Sequence, residues 1–268
     1  MKKNIFVGII GFIFLDLYFN LLPVQLSNSY IQLATILLFF PLAHILSKFV
    51  GLNGLSGIGV HFHSGWARNF ILSFLIGFSF WVLLNGYYFL IGEYTFVGVN
   101  KRFFGMPLLE VIVGYLLGSI INDIMIRGYL ITLLKDKLSM KWVLSISITV
   151  YALEDFWYAG FSLDNIIFSI VLGFSLTYAF YKTGSIWANT GIHFGLNMVY
   201  GLLFGQMGKP NSSLLIINES SKEFLLSQIV DLAVPFMMFL FMLWAIRFYK
   251  KTNENKSDLQ LVSIVNQN

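Results

Sequence analysis

The sequence predicts an all-α fold, a polytopic membrane helix bundle of about eight transmembrane helices. Three observations predict it. Hydrophobic residues make up 57% of the 268 positions and charged residues 11%, and the mean hydropathy is +0.76, far from the balance of an ordinary globular chain. The apolar runs are about 20 residues long, the length that a helix needs to cross a bilayer core. The basic residues gather in the short connections between those runs, as they do where charge sets membrane topology.

The first predicted span runs from Ile5 to about Leu22. Lys2 and Lys3 precede it, and no small-residue cleavage site follows, so it reads as a retained helix. The second, Ile31 to Val50, carries His44 and Pro41. A Gly-rich loop with Gly51, Gly54, Gly57, Gly59, His61 and His63 follows and reads as flexible; it lacks the strand-to-helix context of a phosphate cradle. The third span covers about Phe70 to Ile91, and Glu93, Lys101 and Arg102 lie in the loop after it. The fourth extends from Leu108 to Leu134, long enough to tilt. The fifth runs from Trp142 to about Trp157, the sixth from Ile166 to Tyr181 and the seventh from Ile186 to Phe204. A polar loop around Pro210 and Asn211 leads to the eighth, Phe224 to about Tyr249, and residues 250–268 form a polar tail expected to be disordered.

With the N-terminus inside, Lys48, Arg68, Lys135, Lys137, Lys141, Lys182 and Arg247 share the cytoplasmic side with Lys2 and Lys3, while Lys101, Arg102, Lys209 and Lys222 fall outside. That imbalance places both termini in the cytoplasm. The net charge of +4 and pI near 9.1 therefore report topology. No basic stripe with interleaved aromatics is present, so nucleic acid is not an expected partner. Cys is absent, which excludes a disulfide framework and a thiolate metal site.

Charged groups at bilayer depth are costly and mark function. Asp16, Glu110, Asp123, Glu154, Asp155 and Asp231 fall inside predicted spans. Asp16 and Asp231 stand alone in theirs and read as helix-packing hydrogen bonders. Asp123 and Arg127, four residues apart on one helix face, should pair. The turn at Lys135 to Lys141 makes spans four and five antiparallel, which brings Asn122, Asp123 and Arg127 level with Tyr151, Glu154 and Asp155. On span seven, His193 and Asn197 share a face. The acids gather at one depth, which ranks a transporter or channel last. One core His makes a zinc site improbable, and no cofactor is expected.

These residues resemble the motifs of the CPBP family, the CAAX-protease and bacteriocin-processing membrane proteins also called Abi. Asn122-Asp123-x-x-x-Arg127-Gly128 is similar to the family's Glu-Glu-x-x-x-Arg, Tyr151-x-x-x-Asp155 to Phe-x-x-x-His, and His193-x-x-x-Asn197 to His-x-x-x-Asn. Thr183-Gly184-Ser185-Ile186-Trp187-Ala188 leads into the last of these. The resemblance implies an intramembrane endopeptidase site in which the first Glu and two His activate a water and the Asn stabilises the oxyanion. Asn122 stands where the general base should be, and Asp155 where the first His should be.

Two functions follow from the resemblance. In the first, the chain is a degenerate protease scaffold that binds a membrane or envelope protein or peptide in the bilayer, as in bacteriocin immunity or processing. In the second, it is an active endopeptidase with a rearranged site: Asp123, Glu154 or Asp155 as base, His193 as its partner and Asn197 as oxyanion donor. The expected divisions are 1–104, helices one to three with the Gly-rich loop; 105–206, the family-like core of helices four to seven; 207–249, the polar loop and last helix; and 250–268, the cytoplasmic tail. The expected location is a bacterial-type cell membrane.

Overall fold

The computed structural model describes residues 4–154, 156–206, 212–220 and 225–251. Within them are eight helices of 15 residues or more: α1 (Ile5–Leu21), α2 (Ser29–Phe49), α3 (Trp66–Ile91), α4 (Met106–Asp123), α5 (Met140–Glu154), α6 (Leu163–Thr183), α7 (Ile186–Phe204) and α8 (Leu225–Ala245). Helix α4 continues without a break through Ile124–Ile131 to Leu134. The chain is a multi-pass membrane helix bundle.

Each predicted span holds a helix, and among the described residues six helices are long and apolar enough to cross a membrane. Helix α5, described over Met140–Glu154, is not among those six. Beyond Asp155, which lies outside the described residues, Phe156–Ala159 are helical again. Helix α7 has 19 residues but spends several on Asn189, Thr190, His193 and Asn197. Helix α7 is an interior helix, buried throughout Ile186–Leu196, so it need not be greasy on all sides.

Helices α3 and α7 form the tightest pair. A Cβ on Gly77 would sit 2.2 Å from the Ile192 carbonyl oxygen, and one on Gly195 2.4 Å from that of Phe74. Gly191 likewise lies against the Phe70 carbonyl. Backbone meets backbone, the close approach that small residues at GxxxG spacing permit between membrane helices. The turn into α7 is equally defined: Gly184 (φ 70°) ends α6 with its N–H on the Phe180 carbonyl at 2.8 Å. Thr183 Oγ1 donates to Ala179 at 2.8 Å.

The Gly-rich loop does not hang free. Gly128 of the α4 continuation packs on the Ile58 carbonyl, Ile186 N donates to Gly59 O at 3.1 Å, and Trp187 Nε1 donates to His61 O at 2.9 Å. Phe62 stacks on Trp187 with ring centroids 5.0 Å apart. The loop is thus a docked cap on α4 and α7, with Ile58 fully buried. Burial holds the His63 imidazole below its ordinary pKa, helped by the neighbouring His61. A depressed imidazole pKa means that the unfolded loop binds the proton better. The docked loop therefore has its full stability above about pH 6.5 and loses it as pH falls through the lower folded value. Acidification should shift the fluorescence of Trp66 and Trp187, and His63→Gln should flatten that profile.

Two connections expected to be plain loops in water are strands. β1 (Tyr94–Val99) pairs antiparallel with β2 (Leu215–Glu219), with an irregularity between Phe96 and Gly98. The ribbon joins the connections after α3 and after α7 on one side of the bundle. Lys250, expected to begin the tail, is instead clamped to α3: Asn69 Nδ2 donates to its carbonyl at 2.7 Å and its N–H donates back to Asn69 Oδ1 at 2.9 Å. The rest of the predicted tail, 252–268, and the Pro210–Asn211 loop lie outside the described residues.

Candidate functional site

Helix α4 widens after Asp123 into a π-helical stretch, Ile124–Ile131, every residue of which is buried. In a π-turn the ladder runs from i to i+5, and such stretches recur at functional sites. Here the widening puts Arg127 over both Asn122 and Asp123. Arg127 Nη1 donates to Asp123 Oδ1 and to Asn122 Oδ1, each at 3.0 Å. Arg127 and Asp123 are both 0% exposed. The predicted ion pair is present, and the widened turn adds a bond that a regular helix would not supply.

The pair is tied to α5 and α7. Asn122 Nδ2 donates to Glu154 Oε2 at 2.5 Å, so the antiparallel register read from the turn holds. The Tyr151 ring covers the guanidinium at 4.1 Å, a cation–π contact strengthened by burial. It also meets His193 edge-on at 6.0 Å. His193 Nδ1 lies 3.6 Å from Asp123 Oδ2, close enough for charge attraction and too long for a direct hydrogen bond.

One expectation changes here. Asn197 does not share the Asp123 contact; its Nδ2 donates to Ser119 Oγ at 3.1 Å, one turn earlier on α4. Asp16 acts as the expected helix-packing hydrogen bonder: its carboxyl meets that of Glu154 on α5 and takes a hydrogen bond from Asn20 Nδ2 at 2.7 Å. A carboxyl can donate to another carboxyl only while one of them carries a proton. Asp231 is a helix-packing hydrogen bonder as expected, accepting from the Tyr88 hydroxyl of α3. Asp155 lies outside the described residues.

Asn189, which the sequence reading passed over, turns its amide toward the Asp123 carboxylate without closing a hydrogen bond. Asn189, His193 and Asn197 are spaced by one helical turn each, so one face of α7 carries all three. That spacing was visible in the sequence. Among the described residues, Nε and Nη2 of Arg127 also find no hydrogen-bond partner. The same residues contain no cluster of three or more His, Asp or Glu side chains able to hold a metal ion.

The fold and site define a class: a multi-pass membrane bundle with a buried carboxylate, guanidinium and imidazole drawn from three helices. Residues 104–199 match the family model described as Type II CAAX prenyl endopeptidase Rce1-like, in agreement with the resemblance carried by the three motifs. The matched stretch holds α4, α5, α6 and most of α7, the helices that build the site. No curated protein and no solved structure matches the chain.

Proposed function

We propose that the chain is a converted protease scaffold of the Rce1-like type, whose hydrolytic centre has become a structural polar network. In this reading it acts by binding a membrane or envelope protein or peptide within the bilayer, in the setting of bacteriocin immunity or processing. The observation that carries it is the bridge made by Asn122. Its amide donates to Glu154 and accepts from Arg127, and an ionised carboxylate at that position could not donate. A site built around that amide has no proton acceptor where the family's motif places one.

One observation favours a second reading, an active endopeptidase. The Glu154 carboxylate lies against Asn122, so a base from α5 stands next to the position that α4 has vacated, and Asp123 backs His193. Both readings place the protein in a bacterial-type cell membrane with both termini cytoplasmic. The even number of long helices among the described residues supports the two termini lying on one side, and the excess of Lys and Arg in the connections on that side supports the cytoplasmic one.

Purified protein in vesicles should leave membrane-anchored peptides uncleaved, at the level of empty vesicles. A photo-crosslinker at Leu153, half exposed on α5, should capture a discrete membrane polypeptide from native membranes, and capture should persist in His193→Ala. Cleavage that disappears in both Asp123→Ala and His193→Ala would establish the second reading.

A further inference from the structure

We propose that the chain self-associates through the free edge of β1, two copies pairing antiparallel to form a four-stranded sheet in the order β2-β1-β1-β2. A two-stranded ribbon is marginal alone, and an unpaired strand edge is a template for another strand. β1 reads Tyr-Thr-Phe-Val-Gly-Val, with no charge and no Pro to blunt it. Phe96 and Val97 are each 56% exposed and Val99 48%. Among the described residues β2 is its single strand partner, and Val97 has no Cα partner even there. The start of β2 is occupied, since Leu214 N donates to Leu202 O of α7 at 2.9 Å.

The occupant follows from the charges at the two ends of the strand. Glu93 precedes β1, its carboxylate fixed by the Ser227 hydroxyl, and the exposed Lys101 and Arg102 follow it. A second β1 running the opposite way, with the two-fold axis at Val97, sets Glu93 of each copy opposite Lys101 of the other. The same register sets Phe96 opposite Gly98, where an aromatic ring covers the bare backbone, and Thr95 opposite Val99, a β-branched pair. A parallel arrangement would bring like charges together. The strand is therefore complementary to its own reverse, as a two-fold interface requires.

The absence of Cys makes the register directly readable. Oxidation of Val97→Cys in membranes should give a disulfide-linked dimer, because directly opposite Cβ atoms lie about 4.5–5.5 Å apart. Thr95→Cys alone and Asn218→Cys alone should stay monomeric, while the Thr95→Cys/Val99→Cys double variant should cross-link. Lys101→Glu in the Val97→Cys background should lower the dimer yield about tenfold, and adding Glu93→Lys should restore it. No cross-link from Val97→Cys in folded protein, or equal yields from positions 95, 97 and 218, would overturn the proposal. These outcomes do not depend on whether the polar site is catalytic.

Discussion

Replacing Arg127 with Ala is expected to leave little folded protein. Its guanidinium is fully buried, bonded to Asp123 and Asn122 and covered by Tyr151. Removing one partner of a buried ion pair strands the other charge, at a cost of about 3–5 kcal/mol. That is comparable with the whole stability of many domains. Arg127→Lys should recover part of the loss, because an ammonium keeps the charge but lacks the planar guanidinium that lies over Tyr151. The double variant Arg127→Met/Asp123→Asn should be more stable than Arg127→Ala, since no unpaired charge remains. Thermal midpoints in detergent, followed by tryptophan fluorescence, would rank the four proteins. If Arg127→Ala melts with the unaltered chain, the pair has no structural role.

The second large effect is expected at Gly195. A Cβ there falls 2.4 Å from the Phe74 carbonyl oxygen and 2.7 Å from Phe78 N. Both are backbone atoms of α3 that no rotamer change can move. Gly195→Val should force α3 and α7 apart, at a cost of about 3 kcal/mol or more, the upper end of over-packing penalties. Because α7 carries Asn189, His193 and Asn197, the shift would also pull His193 from Asp123. Gly86→Ala is the matched control, since nothing lies within 4 Å of its added Cβ. It should melt at or slightly above the midpoint of the unaltered chain, given the better helix propensity of Ala. Equal midpoints for Gly195→Val and Gly86→Ala would mean that the helices are not in backbone contact.

The helices were legible because membrane spans advertise themselves: about 20 apolar residues closed by charge or Gly. The Asp123–Arg127 pair was legible as well, since i, i+4 spacing fixes it locally, and the turn at Lys135 to Lys141 gave the level of Glu154. What escaped depended on contacts remote in sequence. Asp16 reads as a lone acid until α1 is known to lie beside the end of α5. Asn197 reads as a partner of His193 because the two share a face, yet a helix face is wide enough for one to meet Asp123 and the other Ser119. The short strands Tyr94–Val99 and Leu215–Glu219 were hidden between spans, although their β-branched and aromatic residues carry a strand signal. Gly191 and Gly195 spelled a close helix contact that the composition-led reading passed over.

Chemically, the site depends on one substitution of function within its own network. The side chain at position 122 must donate to Glu154 and accept from Arg127 at once, and an amide does both. An ionised carboxylate at position 122 could accept from Arg127 but could not donate to Glu154. The Asn122 amide also gives Glu154 a donor in an apolar interior, where an unmet polar group is costly.

The most direct measurement is the rate of cleavage of a membrane-anchored peptide by folded protein in vesicles, compared between the unaltered chain and Asn122→Glu/Asp155→His. The account predicts no cleavage by the unaltered chain and measurable cleavage once a proton acceptor and an imidazole are supplied. Cleavage by the unaltered chain that Glu154→Gln abolishes, in protein that still melts cooperatively, would contradict it.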